Sequence, residues 1–230
     1  MRNRAFKWLS HACRIVLGVT FIFSGFVKTV DPWGTAIKIQ EYLSIYGLES
    51  LSGLRFGFSI WLCGAELMMG LMLLFKVRIR LISIFALASM IFFTVLTFLS
   101  ATWLPVEDCG CFGDAVKLTP WETFAKNLVL LPLSVVVWWR YRRDRIFAFS
   151  KAEVGCTVLF FSLAMGLGIY CYAHLPLIDF LPYKVGVNIH EAMQEPAVEP
   201  GESETVLIYR NRETGREREF SLDDTEWQDA

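Results

Sequence analysis

The chain has 230 residues, a formal net charge of −1 and a composition that is 54% hydrophobic, with a mean hydropathy of +0.43. That length would fit one or two soluble domains, but the apolar residues sit in runs longer than a soluble core of this size needs. An integral membrane protein is expected, and no nucleotide loop, zincin signature, glycine phosphate cradle or nucleic-acid partner is read from the sequence.

The first run, "RIVLGVTFIFSGFVKTV" (14–30), follows the basic start "MRNRAFKWLSHACR". That start imitates a secretory signal, yet no small-x-small cleavage site with a polar chain after it appears, so a retained helix is expected. Lys28 lies near the end of this run, where its ammonium can reach the interface. Next, "DPWGTAIKIQEYLSIYGLES" (31–50) carries Ile37, Tyr42, Ile45 and Leu48 at a loose helical spacing. It predicts a short amphipathic helix on the membrane or over the mouth of a bundle, with a solvated loop as the plainer alternative. The second run (54–75) contains Glu66, an ionisable residue near mid-membrane and for that reason a functional suspect. Pairing with Lys28, contact with a quinone head group and a plain interhelical hydrogen bond are all open to it. Runs at 81–104 and 124–139 follow, the latter with Pro132, which a membrane helix tolerates. Thr119, Pro120 and Glu122 read as the cap, first turn and capping-box acid of that fourth span. A fifth run occupies 154–173.

Basic residues precede the first span (Arg2, Arg4, Lys7, Arg14), join the second to the third (Lys76, Arg78, Arg80) and join the fourth to the fifth (Arg140, Arg142, Arg143, Arg145, Lys151). With five spans these are alternate connections, and the positive-inside rule assigns them all to the cytoplasm. The expectation is a multi-pass protein of the bacterial inner membrane with a cytoplasmic N-terminus and a periplasmic C-terminus. Beyond residue 174, thirteen Asp or Glu face five Lys or Arg. A proline-bearing stalk there leads to "ETVLIYRNRETGREREFSLDD" (204–224), which predicts a β-hairpin. An isolated hairpin is marginal in water, so a docking surface, another chain or sequence beyond Ala230 is expected to support it.

Of the 6 cysteines, Cys109, Cys111 and Cys171 fall toward the outer side, Cys63 within the second span, and Cys13 and Cys156 toward the cytoplasm. In "WLPVEDCGCFGDAVKLTPWE" (103–122), Cys109 and Cys111 are one residue apart and face an oxidising compartment. They supply half a tetrahedral site that no outer His or Cys pair completes, so no metal is expected. A disulfide between them needs Cα atoms within ~7 Å, a bend that Gly110 eases. The loop it closes is too small for unfolded-state entropy to be a strong reason for it, whereas a strained bond exchanges readily. Exchange chemistry, a structural staple and inert thiols stay open. Exchange also requires a destination for two electrons, and a membrane quinone is the natural one. Lys28 can lower the pKa of a nearby thiol. Cys171 can relay electrons, pair with the loop or simply pack in its helix.

Together, "RIVLGVTFIFSGFVKTVDPWG", "GAELMMG" and "DCGCFGD" resemble the DoxX-like superfamily, specifically its methylamine-utilisation MauE-like branch, over roughly residues 12–140. The residues that carry the resemblance are Arg14, Ser24, Gly25, Lys28 and Asp31, then Glu66, then Cys109, Gly110, Cys111, Phe112 and Gly113. It implies a four-helix membrane protein concerned with disulfide handling or maturation of exported proteins, with a likeness to quinone-linked oxidoreductases of the DsbB and vitamin K epoxide reductase type. Unlike DsbB, the chain has no Cys-x-x-Cys at a helix end and no second outer pair.

The expected fold is an all-α polytopic membrane protein: a four-helix bundle plus a fifth transmembrane helix, with a small extracytoplasmic C-terminal β-hairpin tail. The expected domains are a membrane domain (1–140), a cytoplasmic loop with the fifth helix (141–173), and an extracytoplasmic linker and tail (174–230). The expected function is that of a membrane thiol–disulfide oxidoreductase exchanging a Cys109–Cys111 disulfide with an extracytoplasmic thiol protein, thioredoxin-like or an exported substrate. Cys171 would assist, and Glu66 and Lys28 would face a quinone. The alternative is a non-enzymatic inner-membrane subunit or assembly scaffold for an extracytoplasmic partner.

Overall fold

A computed structural model describes residues 4–103, 110–113, 115–116, 118–144, 150–174, 176–178, 180, 206–210 and 217–221. Helix α1 (Arg4–Val30) ends where Asp31 and Pro32 turn the chain into α2 (Pro32–Ile45). The Asp31 carboxylate accepts from the Gly34 amide at 3.1 Å and Pro32 supplies a pre-set first turn, so the chain reverses without leaving a helix end uncapped. A 3-10 turn (Glu49–Leu54) feeds α3 (Arg55–Phe75). Lys76 and Arg78, both with left-handed backbone (φ 62° and 46°), make the tight turn into α4 (Ile79–Thr102). The expected capping box opens α5 (Pro120–Tyr141), with Thr119 and Glu122 each bonding the other's backbone amide. Ser150 caps α6 (Lys151–Ala173) by accepting from the Glu153 amide at 3.1 Å.

The closest helix pair is α1 on α3, and glycine permits it. A Cβ at Gly25 would lie 2.4 Å from the Leu67 amide nitrogen, and one at Gly70 would lie 2.5 Å from that of Ile22. Such small-residue contacts let backbones approach, which is how helices associate where lipid removes the hydrophobic drive between them. The pairs Gly25 with Leu67, Ile22 with Gly70 and Gly18 with Leu74 fix an antiparallel register. At the far end Arg14 donates to the Leu73 and Leu74 carbonyls, satisfying acceptors that the α3 C-terminus leaves open. On the other side α4 packs on α5, where the buried Asn127 amide reaches the Phe93 carbonyl and the Thr97 hydroxyl, each at 3.3 Å. Helix α6 lies against α3 with Gly64 under Met165. Leu17, Phe21, Met72, Leu73 and Val137 fill the core, while Phe85, Phe92, Val129 and Leu159 stay exposed on the outside, as side chains facing lipid should.

The expected architecture is corrected here. Among the described residues four helices, not five, are long and apolar enough to cross a membrane: Phe6–Val30, Ser50–Phe75, Ile79–Thr102 and Lys151–Ala173. Helix α5 is not one of them, because Lys126, Asn127 and Arg140 lower its hydropathy. It still runs the height of the bundle, from Thr123 beside the 110–113 turn to Tyr141 under the Lys76 ammonium. The fold class is an all-α, four-helix transmembrane bundle, and no β-strand occurs among the described residues of the unit Met1–Leu181. No β-hairpin therefore belongs to that fold. In the second unit, Pro182–Ala230, the segments Val206–Arg210 and Glu217–Ser221 pair antiparallel, with Val206 opposite Ser221. Two strands of five residues are too small to form a β layer, and residues 211–216 between them lie outside the described residues.

The helix expected within 31–50 is present as Pro32–Ile45, and of the two positions expected for it the structure shows the one over the bundle. Helix α2 packs on α3, and the Tyr42 hydroxyl reaches Ser100 of α4 at 3.1 Å.

Candidate functional site

The site is organised around a buried ion pair. Lys28 Nζ lies 2.8 Å from Glu66 Oε2, with the two side chains only 7% and 8% exposed. Two charges withdrawn from water at this depth are tolerated because each neutralises the other. Of the readings open to Glu66, the structure supplies the pairing with Lys28.

The turn 110–113 sits beside this pair, held by contacts from two helices. Ser24 Oγ of α1 donates to the Cys111 carbonyl at 2.6 Å. The Phe112 ring meets Phe23 edge-on at 5.5 Å and lies 4.0 Å from the Lys126 ammonium of α5. Gly110 and Gly113 take left-handed backbone (φ 60° and 53°), a conformation that costs glycine little. A Cβ at Gly113 would also press on Val27 at 3.2 Å. The result is a half-buried Cys111 seated at the mouth of the helices.

Cavities meet at the same place. One, of 270 Å³ and almost wholly apolar, lies under α2 and is lined by Lys28, Thr35, Tyr42, Phe93 and Cys111. A narrower one, of 30 Å³, adds Ser24, Glu66 and Asn127 to Lys28 and Cys111. A third, of 360 Å³, opens between α3 and α4 and also reaches Glu66. The ion pair thus stands between apolar spaces, with Cys111 on two of them.

The profile of the family described as "Methylamine utilisation protein MauE" matches residues 6–140, more than half of the chain. The chain belongs to the MauE family. It is also 30% identical over 134 residues to "Protein TlpB" of Flavobacterium psychrophilum, a match covering 56% of this chain and 36% of that protein. The chain therefore spans about a third of that relative's length. No solved structure matches it.

The residues on which the resemblance to MauE rests now have physical roles. Arg14 closes the end of α3, Ser24 holds the cysteine turn, Gly25 allows the α1–α3 approach, and Asp31 caps α2. Lys28 and Glu66 form the buried pair, with Cys111 beside it. Cys109 lies outside the described residues. Cys171 is buried in the last turn of α6 and lines neither the 270 Å³ nor the 30 Å³ cavity. Among the described residues no three His, Cys, Asp or Glu side chains converge as a metal-ligand set.

One residue close to the pair was passed over in reading the sequence. Cys63 has no exposed surface and lies one turn after Ser59 in α3. Ser59 in turn donates to the Pro32 carbonyl at 2.7 Å, tying α3 to the start of α2. The signal that would have found Cys63 is the spacing of Ser59, Cys63 and Glu66, which is i, i+4, i+7 along one helix face.

Proposed function

We propose that this MauE-family membrane protein is a thiol–disulfide oxidoreductase in which Cys111, paired with Cys109, exchanges disulfides with an extracytoplasmic thiol protein. The observation that carries the reading is the seat of Cys111, half-buried at the mouth of the bundle and sharing two cavities with the Lys28 ammonium. A cation near a thiol favours the thiolate, the species that attacks a disulfide. Ser24, Phe23 and Lys126 hold the turn so that this sulfur stays at the cavity.

The outward orientation of the turn is part of the proposal. At the opposite end of the bundle Arg14 lies on the last carbonyls of α3, Lys76 over Tyr141, and Arg80 on the Asp144 carbonyl. Basic residues gathered at one end favour that end as the cytoplasmic one.

The 270 Å³ cavity fits the ring of an isoprenoid quinone, being apolar with a few polar groups at one wall. Lys28, Thr35 and Tyr42 would hold it there, and its chemistry would be the acceptance of two electrons. Lys28, paired with Glu66 behind it, can hold or move a proton at that wall.

Trapping tests the reading. Membranes from cells carrying Cys109→Ser or Cys111→Ser are quenched with acid and alkylated, and disulfide-linked partners are identified. A partner held by one single variant and lost in the double variant is the expected result. A double variant that keeps full cellular activity, with no trapped partner in either single variant, overturns the proposal in favour of a non-enzymatic assembly subunit.

A further inference from the structure

We propose that the cavity between α3 and α4 is a binding site for an anionic phospholipid, with one acyl chain lying in the cavity and the phosphate at Arg78. Cys111 does not line this cavity, so the inference stands apart from disulfide exchange.

The space follows from how the two helices pack. Helix α3 is held against α1 at Gly25 and Gly70, while α4 is held against α5 by the Asn127 amide. The tight turn through Lys76 and Arg78 joins their ends, so the two helices follow different neighbours and leave 360 Å³ between them. The α3 wall runs from Trp61 to Met72 and the α4 wall from Leu81 to Phe93, an elongated slot of about 18 Å at 1.5 Å per residue. Because α3 and α4 are joined by that turn, both walls converge on Arg78. Trp61 and Phe85, which line the slot, are 57% and 55% exposed, so it opens on the surface that faces lipid and its occupant enters from the bilayer.

The walls suit hydrocarbon. Met68, Met69 and Met72 line the α3 side, and their unbranched thioether side chains adapt to a chain with no fixed shape. Glu66 borders the slot as well, but its charge is matched by Lys28 at 2.8 Å, so the wall carries no net charge at that depth.

Charge complementarity selects the lipid. The slot ends at half-buried Arg78, Lys76 and Arg80 stand on either side of it in the sequence, and the first turn of α4 holds no acidic residue. A guanidinium presents a planar fork that matches phosphate oxygens, and basic pockets between membrane helices bind anionic head groups. A zwitterionic lipid would bring an ammonium to the same basic residues. A quinone, the occupant proposed for the 270 Å³ cavity, offers Arg78 no anion.

The test uses the full chain in nanodiscs of phosphatidylcholine containing a small fraction of phosphatidylglycerol with a photoreactive diazirine partway along one acyl chain. After irradiation, adducts are mapped by peptide mass spectrometry. The expected result is labelling concentrated in residues 61–72 and 81–93, competed by unlabelled phosphatidylglycerol and reduced about fivefold by Arg78→Gln, the worth of one basic residue beside an anionic lipid. Arg78→Lys should keep most of it, and unchanged thermal unfolding of Arg78→Gln separates lost binding from misfolding. Ala65→Phe, which fills the slot and leaves Arg78 in place, should lower labelling as well. Labelling that is equally strong at the exposed Leu159 and Phe161 of α6 overturns the site in favour of ordinary annular lipid. Equal labelling by a phosphatidylcholine probe, or competition by an isoprenoid quinone and not by phosphatidylglycerol, overturns the choice of an anionic lipid.

Discussion

Removing one member of the Lys28–Glu66 pair should be far more damaging than removing both. The charges are 2.8 Å apart and nearly inaccessible to water. At that separation two unit charges attract by about 6 kcal/mol with an effective dielectric constant of 20, most of which offsets the cost of desolvating them. Glu66→Gln leaves a buried ammonium and Lys28→Met a buried carboxylate, and each should lose about 3–5 kcal/mol. That is roughly two to three and a half powers of ten in the folding equilibrium. The double variant Lys28→Met, Glu66→Gln leaves no charge behind and should lie within about 1–2 kcal/mol of the parent, giving a coupling energy of several kcal/mol. Denaturant titration in mixed micelles, followed by tryptophan fluorescence, measures all four corners of the cycle. The rate of Cys111 alkylation provides the second readout. If Lys28 activates Cys111, the double variant recovers its stability but alkylates at least about tenfold more slowly than the parent. Single-variant losses that add to within about 0.5 kcal/mol of the double would refute the argument, since independent sites behave that way.

Three further outcomes follow from the packing. Gly25→Ala and Gly70→Ala push a Cβ into backbone of the facing helix and should each cost at least about 1–3 kcal/mol by the same titration. Gly57→Ala and Gly166→Ala meet open space and should instead be neutral or gain about 0.4–1 kcal/mol, so equal effects at all four positions would contradict the α1–α3 register. Ser24→Ala removes the bond to the Cys111 carbonyl and should cost about 1 kcal/mol while loosening the turn, seen as faster hydrogen exchange at residues 110–113 and unchanged exchange in α6. Hydrogen bonds from the Thr119 amide and hydroxyl hold the exposed Glu122 carboxyl below its ordinary pKa of 4.5. Its support of the α5 start is therefore complete above that value and lost as pH falls through the lower folded-state value; hydrogen exchange of the first turn should rise there in the parent and not in Glu122→Gln.

Much of this molecule is legible because single residues determine single features. The apolar runs specify the long helices, Asp31-Pro32 the turn into α2, and Thr119-Pro120 with Glu122 the start of α5. These are local rules, and local rules can be read along a chain. The count of spans is harder, because a helix packed along its neighbours can bury Asn127 and set a half-buried Lys126 against an aromatic ring and need not be uniformly apolar. A hydropathy reading treats such a helix as a span or not on composition alone, while the packing depends on which face the polar groups occupy.

Cys63 shows the same limit at the site. Along the chain it is one cysteine in an apolar run, and its distance in sequence from Lys28 and from Cys111 gives no reason to connect the three. What connects them is the glycine-mediated contact between α1 and α3, which sets the register, together with a second-loop turn held against α1 by Ser24. Glycine at positions 25 and 70 has no chemistry of its own, yet it determines which polar residues share a depth. Moving α1 by one turn would separate Lys28 from Glu66 and leave both charges buried without a partner. The ion pair and the close helix contact therefore select one another: the register that satisfies both also sets Cys63 level with Thr29, next in the chain to the cation whose cavities Cys111 lines.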